Sequence, residues 1–124
     1  MKLSELTTPD QAVLALARQG YRKVEDKFLS DDLLQGGAQG VFEYELNTCP
    51  HCSTVFRCIS VIPSNTKHGT DAGIGVRIQD DETLAGWCFW ECYAGTTKVL
   101  IPTEVELDQL GPAIDAWQNE VEAA

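Results

Sequence analysis

Positive charge is what this chain runs short of. It holds 9 Lys and Arg against 19 Asp and Glu, a net charge of −10. The shortage is one-sided. Residues 1–77 are nearly balanced, whereas residues 78–124 carry Lys98 as their one cation against ten acids, Glu104, Glu106 and Asp108 among them. Such a surface repels phosphate, so direct nucleic-acid binding is not expected. It steers association towards a basic protein instead. Long apolar runs are also missing. No stretch approaches the roughly 18–20 apolar residues of a membrane span, and Met1–Pro9 lacks the apolar centre of a secretion signal. A cytoplasmic chain is expected. Nucleotide loops are absent too: Gly73-Ile74-Gly75 has neither a third glycine nor a helix pattern after it.

What is present fits one globular domain over residues 1–124, with 44% hydrophobic residues. Thr8-Pro9-Asp10-Gln11 carries a capping residue, a proline suited to a first helical position and a capping-box glutamine, so a helix is expected over residues 9–19, stopping at Gly20. Residues 21–29 hold at most a short strand, and Ser30-Asp31-Asp32-Leu33-Leu34 reads as one capped helical turn. The middle alternates with period two. Phe42, Tyr44 and Leu46 fall on one face and Glu43 and Glu45 on the other. Residues 55–62 are rich in β-branched side chains, Ile74, Val76 and Ile78 alternate again, and residues 86–95 and 98–101 complete a sheet region over 41–101. Asp80-Asp81-Glu82 reads as a solvated turn. The end is a second helix over residues 104–122, with an apolar stripe at Leu107, Leu110, Ile114, Trp117 and Val121 and a kink or restart expected at Gly111-Pro112. The expectation is an α+β fold: a small antiparallel sheet flanked by the N-terminal and C-terminal helices.

Five cysteines are an odd number, which speaks against a pure disulfide framework. Cys49-Pro50-His51-Cys52 lies between two strand-like runs. Two thiolates three residues apart at a hairpin tip can reach one tetrahedral metal. The stretch from Asn47 to Arg57 resembles the first knuckle of zinc ribbons, a resemblance over about a dozen residues. It implies a structural zinc and a second ligand pair downstream, for which Cys88 and Cys92 are the available residues. Four protein ligands, Cys49, Cys52, Cys88 and Cys92, leave no open position for hydrolytic chemistry. The sequence departs from the ribbon pattern twice. The second pair has the wider CxxxC spacing, and Ser53 stands where ribbons often have glycine. In an extended strand, residues four apart lie ~13 Å apart, so Cys88 and Cys92 can both bind only if 88–92 bends. If it stays extended, one of them joins Cys49 and Cys52, with His51, Cys58 or His68 as the fourth ligand.

The same four residues, Cys49-Pro50-His51-Cys52, also resemble the active site of the disulfide-oxidase branch of thioredoxin-like proteins. That resemblance implies an attacking Cys49, a resolving Cys52 and a helix N-terminus lowering the thiol pKa, with Ile101-Pro102-Thr103 in the place of the cis-proline loop. The strand-forming run after Cys52 argues against it. Trp87, Phe89 and Trp90 crowd together, so at least one ring leaves the core face and offers an interface anchor. The reading favoured is a non-enzymatic, acidic protein-binding module with a structural zinc site, an inhibitor or adaptor of a basic nucleic-acid-handling protein. Its expected contact residues are Trp87, Trp90, Glu104, Glu106 and Asp108. A thiol–disulfide oxidoreductase and a subunit of a larger assembly are the alternatives.

Overall fold

Thr8 opens the first helix, α1 (Pro9–Gln19), its hydroxyl accepting the Gln11 N–H at 3.3 Å, and Gly20 ends it in the left-handed region at φ 101°. The Gln11 side chain turns back one residue further than a standard capping box, accepting from the Thr7 N–H at 3.0 Å and the Thr7 hydroxyl at 2.8 Å. The computed structural model describes residues 1–23, 39–48, 53, 55–64, 66, 72–91, 95–101 and 104–123. The helical turn expected at residues 30–34 lies outside them.

Six strands follow among the described residues: β1 (Tyr21–Lys23), β2 (Gly40–Thr48), β3 (Val55–Pro63), β4 (Ala72–Ile78), β5 (Cys88–Glu91) and β6 (Gly95–Leu100). They lie side by side in chain order. The strands from β2 to β6 form the expected antiparallel sheet, and β1 adds a short parallel pairing to Gly40–Phe42. The chain ends in α2 (Leu110–Ala123), entered through a 3-10 turn at Leu107–Gln109. The helix therefore begins later than residue 104. Pro112 falls in its first turn, where a missing N–H costs nothing, so no kink is needed.

Both helices pack on one face of the sheet. Ala12 and Leu16 of α1 and Leu110, Ile114 and Trp117 of α2 share a single core with Phe42, Ile59, Val61, Ile74, Val76 and Phe89. The Phe89 and Trp117 rings stack at 4.8 Å with an interplanar angle of 6°. The register explains the common face: Phe42, Val61, Ile74 and Phe89 stand in one cross-strand row, and side chains in a row point the same way. The opposite face is closed over β2 and β3 as well, where Val41, Ile62, Cys58 and Glu43 are buried. Burial of Glu43 reverses the outward position that the alternation in β2 predicts.

Tyr21, buried at the start of β1, has a phenol pKa held well above its ordinary value by loss of solvation. The unfolded chain ionises this phenol near pH 10 and the folded chain does not. Its contribution is thus fully present below pH 10 and is lost above it, by about 1.4 kcal/mol per pH unit. Urea unfolding between pH 9 and 11.5 is expected to show wild type losing stability more steeply than Tyr21→Phe. Equal slopes would mean that the Tyr21 phenol ionises freely in the fold.

Candidate protein-binding surface

The sheet register decides which cysteines can meet. Residues β2 and β3 pair one-to-one up to Thr48 opposite Val55, so the Cys49–Cys52 motif lies within the connection at that end. Val61 is level with Ile74 and Phe89 across β3, β4 and β5. Strands β3 and β5 run in the same direction, and Glu91 lies two residues beyond Phe89, away from the hairpin end. Glu91 is therefore eight residues from the level of Val55, about 27 Å along the strands. Cys88 is level with Ser60, about 17 Å along the strands from Val55 and two strands across. Two thiolates on one zinc stand less than about 5 Å apart. The residues that flank Cys49 and Cys92, Thr48 and Glu91, are at opposite ends of the sheet. Among the described residues, the register thus sets Cys88 and Glu91, the neighbour of Cys92, far from Thr48, the neighbour of Cys49. Residues 88–91 form an extended strand, the case in which the sequence expectation lets only one of Cys88 and Cys92 join Cys49 and Cys52. Cys88 is a partly buried thiol 3.7 Å from the Gly86 carbonyl, and Cys58 is buried on the face away from the helices. Cys49, His51, Cys52, His68 and Cys92 themselves lie outside the described residues, and so do Pro102 and Thr103. Among the described residues no group of His, Cys, Asp and Glu is placed to hold a metal ion.

One backbone feature is described directly beside the motif. Ser53, directly after Cys52, has φ 58°. This is the left-handed region, where zinc ribbons place glycine and where a non-glycine residue costs roughly 1–2 kcal/mol. The disulfide-oxidase arrangement gains no such support. Val55 begins a nine-residue strand, which takes up the chain where a helix would have to start.

The expected partner-binding residues are placed differently from one another. Trp87 is only 6% exposed and belongs to the core, so it is not a surface anchor. Trp87 and Phe89 both belong to the helix-covered core, so the ring that the adjacent aromatics send off that face is neither of them. The Trp87 indole N–H has no acceptor among the described residues, beside a shallow cleft of about 420 Å³ between Leu3–Thr7 and Thr83–Trp87. The Trp90 side chain lies outside the described part. Glu104 and Glu106 have structural partners: Glu104 takes the Lys2 ammonium at 2.8 Å, and Glu106 takes the Met1 amine at 2.8 Å. These pairs accompany a strand-like bridge between Lys2 and Glu106, with the Leu3 N–H donating to the Val105 carbonyl at 3.0 Å. Asp108 is exposed.

Comparison with protein-family models, with characterised proteins and with solved structures yields no match. The chain's own surface has to carry the functional reading.

That surface has one conspicuous feature. In the outer half of the β2–β3 hairpin, apolar side chains on the core face are exposed. Leu46 is 72% exposed, Val55 60% and Tyr44 40%. Alternation in β2 puts Tyr44 and Leu46 on the same face as buried Phe42, and the register puts Leu46 beside Arg57. Apolar side chains that lose their cover together, rather than singly, mark an interaction site. Charge surrounds the patch. Lys23 Nζ lies 5.3 Å from the centre of the Tyr44 ring. Arg57 pairs with Glu82, whose left-handed backbone at φ 64° closes the turn after β4. Burial, the field of Asp10 and that of Glu82 all raise the Tyr44 phenol pKa, with Arg57 acting in the opposite sense. Beside this turn Asp81 accepts from the Thr83 hydroxyl and N–H, which lowers its carboxyl pKa. Sequence reading missed this patch because the alternation that identified β2 assigns Tyr44 and Leu46 to the core. No local signal in the sequence marks it, because what covers a strand is set by distant segments.

Proposed function

We propose that this chain is a non-enzymatic protein-binding module whose docking surface is the outer half of the β2–β3 hairpin. The observation that carries this reading is the joint exposure of Tyr44, Leu46 and Val55 on the face that holds buried Phe42, Ile59 and Val61 further along β2 and β3. The net charge of −10 favours a basic partner. A protein that handles nucleic acid, inhibited or recruited through this surface, is the partner class with that charge. Compared with the sequence expectation, the contact shifts from Trp87, Glu104 and Glu106 to the hairpin. A structural zinc at the tip belongs to the same proposal, with Cys49 and Cys52 as two of its ligands and none from β5. The matched strand ends at Thr48 and Val55 and the backbone of Ser53 support it.

The test is capture of basic proteins from a cation-exchange fraction by the full chain, with identification by mass spectrometry. A defined protein retained at 50 mM salt and released at 500 mM is expected. The Leu46→Asp variant, folded to the same thermal midpoint, is expected to retain it at least tenfold less. Capture that is identical for wild type and Leu46→Asp would overturn the placement of the surface.

A further inference from the structure

The cleft between Leu3–Thr7 and Thr83–Trp87, at about 420 Å³, has the size of a small-molecule site. Such sites are mostly apolar and carry a few placed polar groups. Leu3, Leu6, Leu84 and Ile101 supply apolar lining here. The threonine hydroxyls of the lining are already engaged. Thr7 donates to Gln11 Oε1 at 2.8 Å, and Thr83 is held by Gln79 and Asp81. Backbone groups in the walls are bonded too. The Leu84 N–H donates to the Thr7 carbonyl at 2.9 Å, and the Ile101 N–H donates to the Trp87 carbonyl at 2.9 Å. The indole of Trp87 differs from these. Trp87 lines the cleft at only 6% exposure, and its N–H has no acceptor among the described residues. An indole N–H can donate but not accept. A buried donor left unbonded carries the full cost of its lost hydration, so an acceptor brought to it is favoured.

We propose that this cleft binds a small, neutral, mainly apolar molecule through one carbonyl oxygen, which accepts from the Trp87 indole N–H. The donor sets the chemistry of the contact, and the apolar lining sets that of the rest of the ligand. An anion is the poorer occupant. The described lining residues include no lysine, arginine or histidine, and the nearby Lys2 ammonium is taken by Glu104. A carboxylate buried without a cation loses its hydration uncompensated. A ketone, ester or amide oxygen loses far less and exchanges its bond to water for one to Trp87. The N–H lies beneath the accessible surface, so the ligand must part the cleft walls to reach it. Tyr44, Leu46 and Val55 are not part of the lining, so this site stands or falls apart from the hairpin surface.

The probes are cyclohexyl methyl ketone, its hydrocarbon analogue isopropylcyclohexane and cyclohexanecarboxylate, each titrated into the isotope-labelled full chain and followed by NMR. The Trp87 indole signal is assigned through its contacts to neighbouring methyl groups. The ketone is expected to move that signal downfield in a saturable way, together with the Leu6 and Leu84 methyl signals. The hydrocarbon is expected to give no downfield shift of the indole proton, and the carboxylate to bind at least tenfold more weakly than the ketone. Trp87→Phe keeps a ring but removes the donor. Its affinity for the ketone, read at the Leu84 methyls, is expected to fall at least tenfold. Ala85→Leu keeps the donor and adds bulk to the lining, and a similar loss is expected. Any of three results overturns the proposal: an indole signal unmoved by the ketone, a carboxylate that binds as tightly, or unchanged ketone affinity in Ala85→Leu. Unchanged affinity in a folded Trp87→Phe overturns it as well. If Trp87→Phe does not fold, the three probes and Ala85→Leu decide.

Discussion

Gly40→Ala is expected to destabilise the fold by about 2–3 kcal/mol, near the upper range for overpacking. A β-carbon at Gly40 would lie 2.5 Å from the Ile62 carbonyl oxygen, 2.5 Å from Cε1 of Tyr21 and 2.8 Å from Cα of Pro63. Two of those three atoms are backbone and cannot swing aside. Gly40 is also the residue at which β2 is paired on both sides, with Tyr21 in parallel and with Pro63 in antiparallel. The neighbouring contacts add to the constraint: the Gln39 N–H donates to the Gly20 carbonyl at 3.1 Å, and the Ser64 N–H donates to the Gln39 carbonyl at 2.9 Å. Relief of the clash must therefore move either β1 or β3. Denaturant midpoints of the two proteins measure the effect. A variant within 0.5 kcal/mol of wild type would mean that β1 does not pack against Gly40.

The second large effect separates the cysteines. Metal analysis on protein purified without chelator is expected to give the same zinc content for wild type, Cys88→Ser and Cys92→Ser. Cys49→Ser and Cys52→Ser are expected to lose the metal completely. The reason is the register: β5 lies two strands from the hairpin, with Cys88 about 17 Å and Glu91 about 27 Å further along the strand direction than Val55. No side-chain rotation spans that separation. Zinc lost in Cys88→Ser as well as in Cys49→Ser would require a different register for β4 and β5. Wild type purified with no zinc would remove the metal from the proposal and leave the hairpin surface in place.

The local elements were largely legible. Thr8, Pro9 and Gly20 bound α1 at the expected residues, because capping and the left-handed stop are set by the nearest few side chains. The alternation at Val41–Leu46 and Ile74–Ile78 located β2 and β4 for the same reason. What depends on packing between distant segments was not legible. Periodicity shows that a helix has an apolar face but not which side of a sheet it covers, so both helices on one face could not be read from either stripe. Burial of Glu43 and exposure of Leu46 break the alternation rule in opposite directions. Each is decided by what lies over that point of the sheet, not by the strand itself. Trp87 misled for a related reason: adjacent aromatics must split between two faces, but nothing local tells which of them is buried. The cysteine motifs carry no topology. A CxxC pair and a CxxxC pair give no sign that Thr48 and Glu91, the strand residues leading to them, stand at opposite ends of the sheet.

The most direct measurement is binding of one identified basic protein to wild type, Leu46→Asp and Asp108→Asn, by titration at two salt concentrations. The hairpin surface predicts a loss of at least tenfold in affinity for Leu46→Asp at both concentrations, with Asp108→Asn changing it less than threefold. Equal affinity of wild type and Leu46→Asp, with the loss appearing in Asp108→Asn, would contradict it and return the contact to the acidic C-terminal third.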